Sequence, residues 1–194
     1  MFYNIGIILN FKDVIRLKIL ALIFDGFEEE EATAPFALLR RAKADLTIAS
    51  NKSMVTGNHN IVYANVSSLN EINFGEYGCL ILPGGPHYKF LRESQVVHNI
   101  ITHFITNNKI VCAICAAPTI IGDLGFLRGK KYTCFTSMNK DYGGTYLDDG
   151  VVVDGNLITA KSVAYSLDFA YAIIEKVMGR DVLENVWEHI YYEK

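Results

Sequence analysis

The sequence is poor in several features that define whole classes of protein. Its 194 residues include four cysteines, which are too few for a disulfide scaffold of this size and favour a reducing, cytoplasmic compartment. No apolar run approaches the roughly 20 residues that a membrane-spanning helix needs, so no membrane partner is predicted. The formal net charge is −3 and there is no basic run, which argues against a nucleic-acid partner.

The hydrophobic pattern becomes regular only at Leu17. Residues 1–16 are therefore predicted to be an accessory extension, unless the natural chain starts near Leu17. Their apolar beginning lacks the basic leader and the cleavage site of a signal peptide. Residues 17–194 are enough for a single domain with its own hydrophobic core.

Apolar runs alternate with amphipathic stretches along this domain. The runs that predict strands are residues 17–24, 45–50, 77–83, 109–115 and 131–135, and hairpins are predicted over 55–65 and 151–159. The stretches that predict helices are residues 28–41, 94–107, 166–178 and 181–191, with a further helix beginning near 116. Such alternation forms a mainly parallel sheet with helices on both faces. The predicted fold is an α/β, flavodoxin-like doubly wound sandwich.

Three segments follow the ends of predicted parallel strands. They are residues 25–31, residues 83–87 and Cys115. Because ligands bind beyond the carboxyl ends of the strands in such sheets, we expect the three segments to converge on one site.

Cys115 lies where a buried strand meets the start of a helix. Ala116 and Ala117 allow a sharp turn at this corner, and Pro118 suits the first turn of a helix. Backbone N–H groups and the positive end of the helix dipole favour a thiolate there, as in a nucleophile elbow. The alternative is a buried structural cysteine that closes the strand.

Two further groups could act on such a thiolate. Glu28 and Glu31 share a side of the predicted helix, although a solvated acidic helix start explains the same pattern. Gly84 and Gly85 let backbone N–H groups approach a ligand closely and, with an N–H at the elbow, could bind an oxyanion. An ordinary tight turn is the alternative for the glycines.

The cysteine spacing predicts no metal site. Cys112 and Cys115 are three positions apart, so their side chains point to opposite faces of a strand and do not form a redox pair. The sequence has no second pair of ligands with metal spacing.

Three ordered segments carry these residues: 25–32 (DGFEEEEA), 82–86 (LPGGP) and 113–118 (AICAAP). Together they resemble the ThiJ/PfpI superfamily, and most closely its parkinsonism-associated protein deglycase branch. The resemblance extends from about Leu17 to Met178. It implies a homodimer and a cofactor-free enzyme whose partner is a small-molecule carbonyl substrate.

The resemblance also implies roles for individual residues. Cys115 matches the nucleophile, and Glu31 matches a glutamate whose protonated carboxyl donates a hydrogen bond to the sulfur. Gly84 and Gly85 match a backbone oxyanion site, to which the N–H of Ala116 would contribute. The pKa of Glu31 should then be high and that of Cys115 low, as a coupled pair.

Some positions depart from the family pattern. Ala116 stands where PfpI-type peptidases have a histidine, so peptide hydrolysis lacks its proton shuttle and is not predicted. Phe135 stands where some relatives carry an active-site histidine. His87 could enter the pocket as a proton carrier or lie in a solvated loop. His59 could reach across from a partner subunit or be an exposed hairpin histidine.

The leading functional hypothesis is a glyoxalase or deglycase that acts on methylglyoxal-type dicarbonyls or their adducts through a hemithioacetal on Cys115. The alternative is a non-enzymatic oxidative-stress sensor or chaperone, in which Cys115 oxidises to a sulfinate bound by Glu31. A role in thiazole (thiamine) metabolism rests on the superfamily name alone.

Overall fold

The computed structural model describes residues 17–192. The predicted extension, residues 1–16, lies outside the described residues. Among the residues that the structure describes, no helix is long and apolar enough to cross a membrane.

The strands of the described part share one central sheet and two small ones. They are β1 (Lys18–Leu22), β2 (Asp45–Ser50), β3 (Met54–Thr56), β4 (Val62–Ala64), β5 (Ser67–Ser68), β6 (Cys79–Leu82), β7 (Ile110–Ile114), β8 (Lys131–Tyr132), β9 (Thr145–Tyr146), β10 (Val151–Asp154) and β11 (Leu157–Ala160). The central sheet has the order β10-β11-β7-β6-β1-β2-β5. Only the β10–β11 pair within it is antiparallel, so the predicted mainly parallel sheet is confirmed.

The helices cover both faces of the central sheet, as predicted. They are α1 (Glu29–Arg41), α2 (Tyr88–Glu93), α3 (Gln95–Thr106), α4 (Pro118–Asp123), α5 (Ser166–Met178) and α6 (Arg180–His189). Side chains alternate along each strand, so Ile19 packs with α1, α5 and α6 while Leu20 packs with α3 and α4. Two separate apolar layers therefore hold the sheet.

Several predicted elements differ in the structure. The strand predicted over 131–135 is reduced to β8, which pairs with β9 outside the central sheet. Helix α2 was not predicted, because six residues are too few to show a helical period. The helix predicted over 166–178 is confirmed as α5: Ser166 is its first residue, and the Ser166 hydroxyl donates to the Val163 carbonyl at 2.8 Å.

Pro35 lies inside α1. A proline has no N–H, so the usual bond to the carbonyl four residues earlier, that of Glu31, cannot form. Burial of the surrounding face, including Phe36 and Leu39, holds the helix in place.

The strand order explains where the site lies. Strands β1, β6 and β7 are parallel neighbours in the sheet. The segments that follow their carboxyl ends therefore lie together at one edge, and these are the three segments that the sequence singles out.

The packing of α5 allows a direct test of the apolar layer. Phe169 is fully buried, whereas Leu167 on the same helix is 51% exposed. We expect Phe169→Ala to lower the free energy of unfolding by about 3–5 kcal/mol, because it leaves a cavity in the core. Leu167→Ala should change it by less than about 0.5 kcal/mol. Urea denaturation measures both, and equal effects would contradict the assigned burial.

Candidate active site

Cys115 is held in a strained backbone conformation between β7 and α4. Its φ of +64° lies in the left-handed region, which residues with a side chain seldom adopt. The Cys115 N–H donates to the Ala160 carbonyl at 2.9 Å, and its carbonyl accepts from the Phe135 N–H at 2.8 Å. These bonds fix the corner on both sides, and the half-buried thiol projects from it.

The Cys115 sulfur contacts one side chain and two backbone donors. The Glu31 carboxyl and the N–H groups of Ala116 and Gly85 lie close enough to the sulfur to change its pKa. The structure thus brings together four residues that the sequence places on three separate segments.

Glu31 lies in the first turn of α1 and is only 1% exposed. The Gly84 N–H donates to its Oε2 at 2.8 Å. Burial raises the pKa of Glu31 from 4.5 to about 7, against the hydrogen bonds from Cys115 and Gly84, which favour the carboxylate. Near neutral pH a substantial fraction of Glu31 therefore keeps its proton.

The pKa of Cys115 differs from the expectation. Burial raises the pKa of the thiol above 9.0, and the charge of an ionised Glu31 raises it further, while the backbone donors act in the opposite direction. The expectation of a low thiol pKa at the helix start is therefore wrong for the state in which Glu31 is ionised. Two anions cannot share this buried position, so a Cys115 thiolate requires that Glu31 holds the proton.

The glycine loop leaves no room for side chains. A Cβ on Gly84 would lie 2.6 Å from Glu31 Oε2 and 2.7 Å from the Cys115 Cβ. Gly85 has a φ of +94°, and a Cβ there would lie 2.4 Å from the Glu28 nitrogen. The Gly84 N–H is bonded to Glu31, so the role of Gly84 is to hold this carboxyl and to leave room for it beside Cys115. Gly85 is the glycine whose N–H faces the sulfur.

His87 is neither a pocket proton carrier nor a solvated loop residue. It is 2% exposed, its Nδ1 accepts from the Phe24 N–H at 3.3 Å, and its Nε2 lies 2.8 Å from the Pro83 carbonyl oxygen. Burial lowers the pKa of His87 to about 4, so the ring stays neutral. With both nitrogens bonded, His87 pins the glycine loop to the end of β1.

His59 lies on the β3–β4 hairpin with its side chain 64% exposed, which agrees with a hairpin histidine. Its Nδ1 is 3.0 Å from Glu29 Oε2 and 3.4 Å from Glu28 Oε1, and these carboxylates raise its pKa. In the described part of the chain, these three residues are the group with ligand atoms close enough to hold a metal ion. The contact of His59 with a partner subunit stays a prediction.

Glu29 is a structural residue that the sequence reasoning missed, because helical spacing placed it away from Glu28 and Glu31. It is buried, and its Oε1 accepts from the N–H groups of His59 and Ile61 at 2.6 and 3.3 Å. Gly57 allows this contact, since a Cβ there would lie 2.3 Å from Glu29 Oε1. Glu29 therefore joins the hairpin to the start of α1.

The raised pKa of Glu31 predicts a dependence of stability on pH. An acid with a folded pKa above its unfolded value stabilises the fold fully below the unfolded pKa, and this contribution is lost as pH rises through the folded pKa. A pKa raised from 4.5 to about 7 corresponds to about 3 kcal/mol. In Glu31→Gln, the free energy of unfolding should no longer fall for this reason between pH 4.5 and 8.

The measurement is the difference in unfolding free energy between wild type and Glu31→Gln at each pH, by urea denaturation. The difference is required because neutral His87 acts in the opposite sense: its contribution is present above pH 6.5 and is lost as pH falls towards 4. A difference that stays constant across this range would show that Glu31 ionises normally.

Comparisons with known proteins show similarity over most of this chain. A relative named Protein DJ-1 homolog B, from Arabidopsis thaliana, is 36% identical over 169 residues, covering 84% of this chain and 39% of that protein. Deglycase PfpI of Pyrococcus furiosus is 32% identical over 149 residues, covering 75% of this chain and 90% of that protein. The chain therefore spans less than half of the Arabidopsis relative but most of the Pyrococcus one.

A solved structure shows the same fold over nearly the whole chain. The crystal structure of Drosophila melanogaster DJ-1beta superposes with a TM-score of 0.86 at 28% identity, covering 93% of this chain and 100% of that one. A family model described as the DJ-1/PfpI family matches residues 17–176. On the sequence match, the fold and the arrangement around Cys115, the chain belongs to the DJ-1/PfpI family.

Proposed function

We propose that the protein is a cysteine-dependent, cofactor-free enzyme of the glyoxalase or deglycase type, acting on methylglyoxal-class dicarbonyls or their adducts. The observation that carries the proposal is the contact of the Cys115 sulfur with the buried Glu31 carboxyl. Relatives named deglycase, at 29–32% identity, support the reaction class. Such chemistry needs a nucleophile that forms a reversible bond to an aldehyde and one group that moves protons.

The proposed reaction begins with Glu31 protonated and Cys115 as the thiolate. The sulfur adds to the aldehyde carbon of the dicarbonyl, and the carbonyl π electrons move to oxygen. In this proposal the N–H groups of Gly85 and Ala116 stabilise the charge on this oxygen, and Glu31 donates its proton to give a hemithioacetal.

Glu31, now a carboxylate, can remove the hydrogen from the same carbon and return it to the neighbouring carbonyl carbon. With this transfer the hydroxyl proton passes from the oxygen of the first carbon to the oxygen of the second, and the hemithioacetal becomes a thioester of a 2-hydroxy acid, without gain or loss of electrons. Water then hydrolyses the thioester and restores the thiol. The steps use one base, which agrees with a raised pKa near the working pH.

Peptide hydrolysis is not part of the proposal. The residue after Cys115 is Ala116, whose side chain carries no ionisable proton. Cleaving an amide requires a proton shuttle between the nucleophile and the leaving nitrogen, and Ala116 cannot act as one. Isomerisation of a free dicarbonyl expels no amine, and an early adduct releases its amine without cleavage of an amide, so Glu31 suffices for both.

Replacement of the nucleophile tests the proposal. Cys115→Ser should reduce methylglyoxal turnover to background, because an alcohol of much higher pKa cannot form the anion beside Glu31. Lactate formation and loss of methylglyoxal measure the reaction. Cys134→Ser, which changes a buried cysteine elsewhere, is the control and should keep turnover. Unchanged turnover in Cys115→Ser would remove the sulfur from the mechanism.

A second candidate function is an oxidative-stress sensor. It is favoured by one observation: of the four cysteines, Cys115 alone is not buried. Peroxide oxidises a thiolate to a sulfenic acid and releases hydroxide, which takes the proton of Glu31 and leaves as water, and a second peroxide gives the sulfinic acid and water. Glu31 with its proton could donate a hydrogen bond to a sulfinate oxygen, so the same pair would stabilise the oxidised form.

Graded treatment with hydrogen peroxide tests selective oxidation. Intact mass should show the gain of two oxygen atoms, and peptide mapping should place both on Cys115. Glu31→Gln should speed the first step near neutral pH, because it removes the carboxylate charge that opposes the thiolate. Oxidation of Cys79, Cys112 or Cys134 before Cys115 would contradict the sensor function.

A further inference from the structure

Arg92 joins two helices on the side of the sheet that carries α2, α3 and α4. Its Nη2 donates to Thr119 Oγ1 at 2.7 Å, and its Nε donates to Asp123 Oδ2 at 2.8 Å. Thr119 and Asp123 lie one turn apart on α4, so a single guanidinium on α2 bonds two successive turns of the other helix. Fork-shaped donors of this kind fix orientation as well as distance.

Each of these helices follows one of the two backbone donors to the sulfur. Helix α2 starts three residues after Gly85, and α4 starts two residues after Ala116. The N–H groups of Gly85 and Ala116 converge on Cys115 from these two segments. The packing of α2 against α4 therefore contributes to the spacing between the donors, beside the bonds of His87 and Glu31 that hold the glycine loop.

Thr119 links Arg92 to the turn that carries Cys115. Its side chain is fully buried, and its hydroxyl donates to the Ala116 carbonyl at 2.6 Å. Because the Arg92 guanidinium donates to the hydroxyl oxygen, the hydroxyl proton is free to point at Ala116. Arg92 thus orients a hydrogen bond made one residue after the nucleophile.

We propose that Arg92 is a positioning residue that, through Thr119 and Asp123, sets the spacing of the Gly85 and Ala116 N–H donors around the Cys115 sulfur. The importance of this spacing for turnover rests on the proposed function, but its effect on the thiol does not. Arg92 lies 37% exposed at its side chain and does not itself contact the sulfur through any bond described for residues 17–192.

The charged groups around Arg92 explain why an arginine and a lysine differ at this position. Asp123 also pairs with Lys140, whose Nζ lies 2.7 Å from Asp123 Oδ1. The carboxylate therefore keeps a cation when Arg92 is changed, whereas Thr119 loses its charged donor. A lysine at position 92 offers one compact ammonium and cannot reproduce the two parallel bonds.

The test measures the pH profile of Cys115 alkylation by iodoacetamide in the full chain, followed by mass spectrometry. Arg92→Met and Thr119→Val should raise the midpoint by about half to one pH unit, and so slow alkylation about 3- to 10-fold below it, because displaced donors stabilise the thiolate less. Arg92→Lys should lie between wild type and Arg92→Met, and Thr119→Ser should restore the profile of wild type.

Arg180→Met is the matched control. Arg180 is similarly exposed and bonds Glu175 on α5 and Glu184 on α6, away from the sulfur. It should leave the midpoint unchanged. An unchanged midpoint in both Arg92→Met and Thr119→Val, with thermal unfolding like that of wild type, would overturn the proposal. If Arg92→Met does not fold, the comparison of Arg92→Lys, Thr119→Val and Thr119→Ser decides the question.

Turnover of methylglyoxal by the same variants separates the two proposals. A positioning role lowers kcat with KM nearly constant, since the donors act on charge that develops during reaction. If wild type itself does not turn over methylglyoxal, the proposed function fails. The alkylation profiles still decide whether Arg92 positions the donors.

Discussion

The site depends on one constraint: two acidic groups in contact share a single proton. Glu31 is almost completely buried, and Cys115 is half-buried against it. Water solvates neither group well, so ionisation of one opposes ionisation of the other. The pair can therefore exist as thiol with carboxylate or as thiolate with carboxylic acid. The second form has a nucleophile and a proton donor in direct contact, which is the arrangement that carbonyl addition requires.

The strand order of the sheet brings Glu31 and Cys115 together. The three segments of the site follow β1, β6 and β7, which are adjacent and parallel. Gly84 closes the remaining space, because a methyl group there would strike both the Glu31 carboxyl and the Cys115 side chain. The glycine loop therefore packs directly against both side chains of the pair, and Cys115 at the turn has a φ of +64°.

Neutral and charged groups support the loops in different ways. His87 is a neutral ring bonded to backbone on both sides, which suits a buried position where a charge would be costly. Glu29 holds the β3–β4 hairpin through backbone N–H groups. Arg92 remains at the surface and bonds two turns of α4. In the DJ-1/PfpI family member described here, the site is thus held from three directions by side chains that do not react.

By itself the sequence determined the α/β class, the parallel sheet and the segments at its carboxyl edge, because hydrophobic period and strand-to-helix order are local properties of the chain. Motif resemblance also selected Glu31 among four successive glutamates. Only the tertiary structure decided that Glu29 is buried, that His87 is neutral and that Arg92 reaches α4. It also decided that the Cys115 thiol resists ionisation beside a carboxylate. These properties depend on desolvation and on groups distant in sequence, which no local pattern encodes.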